Sequence, residues 1–380
     1  MVASQRDPRI HFPRQASYGV VLYRVSDDLT KLVAEVKPKE PINMRMVHGI
    51  LETLREAEDE LRWLVFGDDD TIFFVDNILT LLSEYDHTDY YYIGAPSEFV
   101  LSNYWYSFNQ GFGGGGFILS YPLAKALVDD MDNCLRRYAK LKSSDAIVMS
   151  CIADIGVDLT PHQGIHQIDF RGDISGFLSA HSKAPLISLH HFDVVDSIFP
   201  TKDRYQSAHH LMEAANFDQS RILQQTICHN RKKNWSFSIA WGYTVHIYEK
   251  IMARSFIEVP IETFKTWLPH KSLPHYMFNT RKTSILPCEA PHVFFLDSIE
   301  RISETNQILT VYSRAALRAL PPCWVNHDGN SSADYVSRIE VISSVTKRIQ
   351  EGRCECCDIL DVENTAKVTF RECMIDEIIA

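Results

Sequence analysis

Between residues 43 and 61, apolar residues recur at the spacing of one helix face. Met46, Ile50 and Leu54 lie four positions apart with charged residues between them, so we predict a helix over 43–61. The apolar run 63–67 is short and stops at acidic residues. A continuous run of this length is typical of a strand buried on both faces, as in a parallel sheet.

Predicted helices and strands continue to alternate up to about residue 215. The same criteria predict the helices 75–85, 121–137 and 144–155 and the strands 17–23, 90–94 and 185–189. This alternation indicates an α/β fold for the first half of the chain.

The pattern changes after about residue 220, where polar and apolar residues alternate. The runs 235–241 and 244–248 show this alternation, and proline and glycine separate such runs. We therefore predict a smaller, mainly β domain, followed by a loose tail rich in cysteine and acidic residues. The predicted divisions are a weakly structured lead, an α/β domain, the β-rich domain and the tail, over 1–42, 43–215, 216–350 and 351–380.

Composition restricts the classes of function. The 380 residues carry a formal net charge of −11 and are 45% hydrophobic, which is ordinary for a globular protein. An acidic chain repels a phosphate backbone, so we expect no nucleic-acid partner. No apolar run reaches the roughly 18 residues of a membrane helix, and the N-terminus lacks the apolar core of a signal peptide.

Nine cysteines are scattered through the sequence and do not form the paired CxxC motifs of a zinc ribbon. Disulfides are compatible with a lumenal protein, and the odd number leaves at least one thiol unpaired. Asn234 and Asn330 begin sequons for N-glycosylation, although such short motifs often arise by chance.

An acidic triplet, Asp68, Asp69 and Asp70, follows the apolar run 63–67 directly. In open α/β sheets, ligands collect at the carboxyl ends of strands. Three adjacent carboxylates repel one another, and a divalent cation such as Mn²⁺ or Mg²⁺, which also binds diphosphates, removes that cost. The alternative is a solvated acidic turn or a helix N-cap. The strand before the triplet favours the metal site.

Two histidines, His190 and His191, end the predicted strand 185–189. Imidazole is a common ligand for ions such as Mn²⁺. Successive side chains of a strand point to opposite faces, so only one of the two faces the site, and the sequence leaves open which. A histidine pair in this position is equally often a core or capping feature.

A glycine run, residues 113–116, stands between two phenylalanines. Glycine permits positive φ and close backbone approach, so a ligand can lie against Gly114 and Gly115. The alternative is a flexible loop without a ligand. The run is not a P-loop, because the GK[ST] ending is absent.

Asp145 stands at the start of the predicted helix 144–155. Sugar transfer with inversion needs a carboxylate to take the proton of the acceptor hydroxyl. The alternative is a helix N-cap. Aromatic residues that could stack on a sugar are Trp105 above all, then Trp235 and Trp241, although most such tryptophans belong to a core.

Together these segments resemble the plant Fringe-related proteins, a group similar to the Fringe and β-1,3-galactosyltransferase branch of inverting glycosyltransferases. The matching segments lie in the same order over about 43–360, and they are 63–71, 91–94, 113–117, 120–124, 166–167, 180–181, 188–193, 231–238 and 241–245.

The resemblance implies a GT-A (Rossmann-like) domain, a UDP-sugar donor, and a glycan or glycoprotein acceptor. It implies Mn²⁺ held by Asp69 and Asp70, with Asp68 beside them and His190 in preference to His191 as a late ligand. It also implies inversion at the sugar carbon and residence in the Golgi as a type II membrane protein.

Two departures from the family qualify this expectation. The family has an acidic pair at the position of Asp145, and here the second place is Ala146. The family also has a membrane anchor and a uracil-binding strand and helix ahead of the acidic strand, which residues 1–40 do not resemble. We therefore expect a shortened product.

Two other classes of function compete with transfer. The departures favour a catalytically inactive protein that binds a sugar or nucleotide. Asp clusters also occur in metal-dependent phosphohydrolases, but the sequence offers no second acidic cluster for a two-metal site.

Overall fold

A computed structural model describes residues 3–4, 24–57, 60–271, 273–323, 332–345 and 354–378 of the chain. The chain forms two compact units, the first made of residues 1–72 and 81–168 and the second of 73–80 and 169–380. The predicted strand 17–23 lies outside the described residues. In the described ranges, every helix is too short or too polar to span a bilayer.

Helices and strands are numbered here in chain order. The helices are α1 (Thr30–Val36), α2 (Pro41–Arg55), α3 (Val75–Leu82), α4 (Val100–Trp105), α5 (Tyr121–Asp129), α6 (Met131–Tyr138), α7 (Ser144–Ile155), α8 (Ser175–Leu178), α9 (Arg204–Ala215) and α10 (Arg254–Ile257). The strands are β1 (Ala3–Ser4), β2 (Arg24–Val25), β3 (Trp63–Phe66), β4 (Ile72–Phe73), β5 (Tyr92–Gly94), β6 (Phe117–Ser120), β7 (Leu159–Pro161), β8 (Ile165–His166), β9 (Phe170–Gly172), β10 (Ser188–Leu189), β11 (Gln225–Asn230), β12 (Trp235–Ala240), β13 (Thr244–Tyr248), β14 (Phe264–Thr266), β15 (His292–Ile302), β16 (Gln307–Arg314), β17 (Arg338–Ser344), β18 (Cys356–Val362) and β19 (Thr365–Arg371).

The first unit is built on a four-stranded sheet in the order β3-β6-β5-β7. Strand β6 pairs antiparallel with β3 and with β5, whereas β5 and β7 are parallel. Helices α2, α5, α6 and α7 contribute buried Val47, Leu127, Leu135 and Ile152 to one core with Leu119 of β6. The Cys134–Cys151 disulfide joins α6 to α7.

The structure corrects two predictions in this unit. We predicted β3 to be buried on both faces in a parallel sheet, but it is an antiparallel edge strand in which Leu64 is buried and Val65 is 39% exposed. We predicted one helix over 121–137, but two helices form because the helical path is interrupted at Asp130.

The second unit is mainly β and contains an eight-stranded sheet in the order β11-β12-β13-β15-β16-β17-β19-β18. Its pairs are antiparallel except for β17 and β19. The Cys228–Cys357 disulfide joins the edge strands β11 and β18 and so curls the sheet towards a barrel. We predicted a loose tail after residue 350, but β18 and β19 form there, and Cys356–Cys373 is a disulfide.

A buried carboxylate organises one end of this sheet. Glu249 accepts hydrogen bonds from His292 Nε2 at 2.8 Å, Ser332 Oγ at 2.8 Å and the Ala333 N–H at 2.6 Å. Arg314 can only donate, and it lies 2.8 Å from His292 Nδ1, so the imidazole is neutral with its proton on Nε2. Burial alone would raise the pKa of Glu249, but these donors lower it to about 2.

Candidate functional site

The acidic triplet forms a turn directly after β3 in the first unit. Asp68 and Asp69 are exposed and Asp70 is half-buried. The Asp68 N–H donates to Thr71 Oγ1 at 2.8 Å, and the Thr71 N–H returns a hydrogen bond to the Asp68 carbonyl at 3.2 Å. Thr71 Oγ1 in turn donates to the carbonyl of Gly114 at 2.8 Å. One threonine therefore closes the acidic turn and ties it to the glycine run.

The glycine run lies beside the acidic turn because of strand pairing. Phe66 ends β3 and is the register partner of Phe117, which begins β6, so the antiparallel pair places the end of one strand beside the start of the other. Gly116 has φ of +93°, a conformation that glycine adopts at little cost. At Gly115 an added Cβ would lie 3.0 Å from the Gln167 backbone nitrogen, so the close approach also requires glycine.

Asp145 contacts the glycine run from the first turn of α7. The helix is capped by Ser143, whose Oγ accepts the Ala146 N–H at 3.1 Å. The alternative role of Asp145 as the N-cap is therefore wrong. A Cβ added to Gly113 would lie 2.5 Å from Asp145 Oδ1, so the carboxylate packs directly against the Gly113 backbone.

A buried tyrosine lies near this carboxylate. Burial, and the charge of Asp145 to a smaller degree, raise the pKa of Tyr92 above its ordinary range. The Tyr92 hydroxyl accepts the Gly111 N–H at 2.9 Å. Tyr92 is therefore a neutral hydrogen-bonding group that holds the segment leading into the glycine run.

Sequence reasoning assigned no role to a buried polar group behind the glycine run. Glu98 Oε1 lies 3.1 Å from His166 Nδ1, and Glu98 Oε2 accepts the Ile168 N–H at 2.8 Å. The neighbouring Gln167 Oε1 accepts the Gly115 N–H at 2.6 Å. This network fixes the backbone against which the glycines pack. The sequence signals were the matching segment 166–167 and an isolated glutamate shortly after the apolar strand β5.

The histidine pair follows β10 in the second unit. His190 is buried, and its ring centroid lies 3.8 Å from that of His191. His191 has φ of +59°, its Nδ1 lies 3.6 Å from Asp169 Oδ1, and its ring stacks on Trp267 at 4.5 Å. Sequence reasoning missed Trp267, because no motif connects it to the histidines.

The aromatic candidates divide by burial. Trp105 is 51% exposed, and its neighbours Tyr104 and Tyr106 are also exposed, so sugar contact by Trp105 stays a prediction. Trp235 and Trp241 are fully buried. The core role that the sequence favoured for these two is confirmed, since they belong to the core of the second unit.

The chemistry available at the acidic turn follows from its donor atoms. Carboxylate oxygens are hard ligands that fit Mn²⁺ or Mg²⁺. Beside them Gly113 is half-buried and Gly114 and Gly115 are buried, and the Asp145 carboxylate can accept a proton. The first unit thus contains oxygen donors that would suit a cation and, beside half-buried Gly113, a carboxylate that could accept a proton, and these are connected through Thr71, Gly113 and Gly114.

Two curated relatives match part of the chain. A protein named beta-1,3-glucosyltransferase from Mus musculus is 30% identical over 120 residues, which is 31% of this chain and 24% of that protein. The protein of the same name from Homo sapiens is 29% identical over 120 residues, 31% of this chain and 23% of that protein. The matched region therefore spans about a quarter of the length of these relatives.

A family model covers a larger part of the chain. Residues 102–357, more than half of the 380, match the family described as "Protein of unknown function, DUF604". The matched region includes the glycine run, Asp145 and the histidine pair. The chain belongs to this DUF604 family.

Proposed function

We propose that this chain is an inverting glycosyltransferase of the GT-A type, related to the Fringe proteins, which transfers a hexose or N-acetylhexosamine from a UDP-sugar to a glycan hydroxyl in a β-1,3 linkage. The observation that carries the proposal is the connection of the acidic turn, the glycine run and Asp145 within the first unit. The names of the two curated relatives support the same reaction type.

In this proposal the acidic turn holds a divalent cation. Asp69 and Asp70, with Asp68 beside them, would be its ligands together with His190, or alternatively His191. Mn²⁺ or Mg²⁺ would supply positive charge for the leaving diphosphate. Thr71 fixes the turn to the glycine run at 2.8 Å from the Gly114 carbonyl, and this run, in which Gly114 and Gly115 are buried and Gly113 is half-buried, would shape the acceptor side of the site.

Asp145 acts as the general base. Its carboxylate takes the proton from the acceptor hydroxyl, and the acceptor oxygen bonds to the anomeric carbon. The bond from that carbon to the diphosphate breaks with its electron pair on UDP, which inverts the configuration. Packing against Gly113 restricts the rotamers of the carboxylate. Ala146 stands at the family's second acidic position and has no carboxylate, so this proposal assigns the role to Asp145.

We further propose that the protein functions in the secretory pathway, in the Golgi. Four disulfides pair eight of the nine cysteines, and Cys354 is the remaining thiol. Disulfides in this number are typical of oxidising compartments and rare in the cytosol.

The test is release of UDP from UDP-sugars with Mn²⁺ present. We expect the double variant Asp69→Ala plus Asp70→Ala to lose at least about 100-fold in rate, because the charge stabilisation of the leaving group is lost. The matched control is Asp86→Ala plus Asp89→Ala, which removes two charges from another turn of the first unit whose carboxylate Asp86 is exposed. Equal rates in wild type and the first variant would rule out the assignment.

A second candidate function is binding of a sugar or nucleotide without catalysis. One observation favours it, namely Ala146 at the position where the family has a second acidic residue. Metal-dependent binding of UDP by calorimetry, with no turnover of any UDP-sugar, would select this function over transfer.

A further inference from the structure

The segment that follows β8 contains a strained residue. Ile168 is buried and has φ of +54°, a left-handed conformation that is an outlier for a β-branched side chain. Such strain persists only where surrounding contacts hold it, and it is common at functional sites. Ile168 belongs to the first unit and directly follows Gln167, which contacts the glycine run. The contacts that hold Ile168 therefore also determine where Gln167 lies.

The carboxylate of Glu98 supplies these contacts. Its Oε2 accepts the Ile168 N–H at 2.8 Å, and its Oε1 lies 3.1 Å from His166 Nδ1. Both partners and Glu98 itself are buried, and loss of the carboxylate would deprive a buried N–H of its acceptor, which is costly. One side chain thus holds the residues on either side of Gln167.

The loop that contains Glu98 is fixed by α4. Asn103 Oδ1 accepts the Ser97 N–H at 3.0 Å, and Asn103 Nδ2 donates to the Ser97 carbonyl at 2.7 Å. Ser97 Oγ accepts the Phe99 N–H at 3.1 Å. Ser97 and Asn103 are both buried. The backbone on either side of Glu98 is therefore held in place, which fixes the position of the carboxylate.

Gln167 connects this network to the glycine run. Its Oε1 accepts the Gly115 N–H at 2.6 Å. A Cβ added to Gly115 would lie 3.0 Å from the Gln167 nitrogen and 3.1 Å from the His166 carbonyl carbon, so the two backbones are in direct contact. Two residues earlier, Gly113 packs against the Asp145 carboxylate. A shift of Gln167 would therefore displace the run against which Asp145 packs.

We propose that Glu98 is a positioning residue for the transfer reaction. It acts through Ile168 and Gln167 on the glycine run, and the run in turn fixes the Asp145 carboxylate. The inference rests on the proposed function, in which Asp145 is the general base. A small displacement of a base slows the chemical step, whereas binding of the donor does not depend on it. Loss of Glu98 should therefore lower kcat and leave KM almost unchanged.

The test compares UDP release and amide hydrogen exchange in full-length variants. Glu98→Met keeps the length of the side chain and removes the strong acceptor, whereas Glu98→Gln keeps one oxygen for the Ile168 N–H. We expect kcat to fall about 10-fold in Glu98→Met and less than about 3-fold in Glu98→Gln, with KM within about 2-fold of wild type. The Gly115 amide should exchange at least about 10-fold faster in Glu98→Met, because Gln167 no longer protects it.

Two further variants separate positioning from general stability. Gln167→Met removes the last link to the glycine run, so the double variant Glu98→Met plus Gln167→Met should match Gln167→Met alone in kcat. Glu52→Met is the matched control, since Glu52 is also a buried glutamate of the first unit. It accepts the Asp27 N–H at 3.0 Å and lies 2.9 Å from His48 Nδ1. These hydrogen bonds join α2 to the segment before α1, so kcat should not change.

Two results would overturn the inference. One is a kcat of Glu98→Met equal to that of Glu52→Met, and the other is multiplication of the fold-losses in kcat when Glu98→Met and Gln167→Met are combined. Near-ultraviolet circular dichroism checks folding, and Glu98→Asp, whose carboxylate is one methylene shorter, replaces Glu98→Met if that variant unfolds. A wild type that releases no UDP from any UDP-sugar would instead refute the proposed function, and the catalytic role of Glu98 with it.

Discussion

Replacement of Gly113 by alanine tests whether the Asp145 carboxylate is the general base. The new Cβ would lie 2.5 Å from Asp145 Oδ1 and 3.3 Å from its Cγ. These atoms end a side chain, so the carboxylate can rotate away while the backbone stays in place. Gly113 is absent from the described residues with positive φ, and alanine can therefore adopt the same backbone conformation.

The expected effects on stability and on rate are very different. A normal contact requires the carboxylate to move by roughly 1 Å, and a displacement of that size costs about 100-fold in a positioned reaction. We therefore expect kcat to fall about 100-fold, which is about 2.7 kcal/mol of transition-state stabilisation. A strained rotamer costs about 1 kcal/mol, and the lower entropy of the unfolded chain offsets a similar amount. The melting temperature should change little.

The assay is steady-state release of UDP for Gly113→Ala, Asp145→Ala and the double variant. Without the carboxylate the added methyl has nothing to displace, so we expect the double variant to match Asp145→Ala. Gly49→Ala is the control, because nothing lies within 4 Å of its added Cβ. The reasoning would be refuted if Gly113→Ala kept more than half of the wild-type kcat. It would also be refuted if the fold-losses in kcat of the two single variants multiplied in the double variant.

The remaining predictions concern stability of the second unit. Gly176→Ala should lower the free energy of unfolding in urea by about 3 kcal/mol. The added Cβ would lie 1.9 Å from the Ile261 carbonyl oxygen, so the backbone must move. A loss under 1 kcal/mol would contradict this. Cys228→Ser plus Cys357→Ser opens a loop closed across 129 residues, so we expect a loss of about 5 kcal/mol, and an unchanged urea midpoint would argue against it. Glu249 has its pKa lowered from 4.5 to about 2, so its stabilisation of about 3 kcal/mol is present above pH 4.5 and is lost as the pH falls towards 2. Glu249→Gln should flatten the stability profile between these pH values, and a profile as steep as that of wild type would exclude Glu249 as its cause.

Local sequence predicted α7 and the acidic turn well. Ser143 caps the helix, and Gly156 follows its end with φ of +85°, a conformation in which glycine is favoured. The apolar run 63–67 predicted β3 and placed the acidic turn at its carboxyl end. The capping of α7 and the end of β3 depend on residues close in sequence, so the local sequence pattern is sufficient to predict them.

Pairing partners could not be predicted in the same way. The run that forms β3 is equally compatible with a buried parallel strand and with the antiparallel edge strand that is observed. The tail after 350 reads as polar and loose, yet β18 pairs with β19 and is tied to β11 by Cys228–Cys357. Pairing with a distant strand decides the position of β3, and pairing together with the disulfide decides the structure of the tail. Both kinds of interaction join residues far apart in sequence, so a local sequence pattern does not reveal them.

The sequence by itself determined which residues could do chemistry, namely the acidic triplet, the glycine run, Asp145 and the histidine pair, since charge, ring nitrogens and backbone freedom are properties of residue type. Tertiary structure alone decided which of them touch. The contact of Asp145 with Gly113 joins residues 32 positions apart, and that of His191 with Trp267 joins residues 76 positions apart. Such contacts form only after strands pair and helices pack, because they depend on where distant segments are held relative to one another.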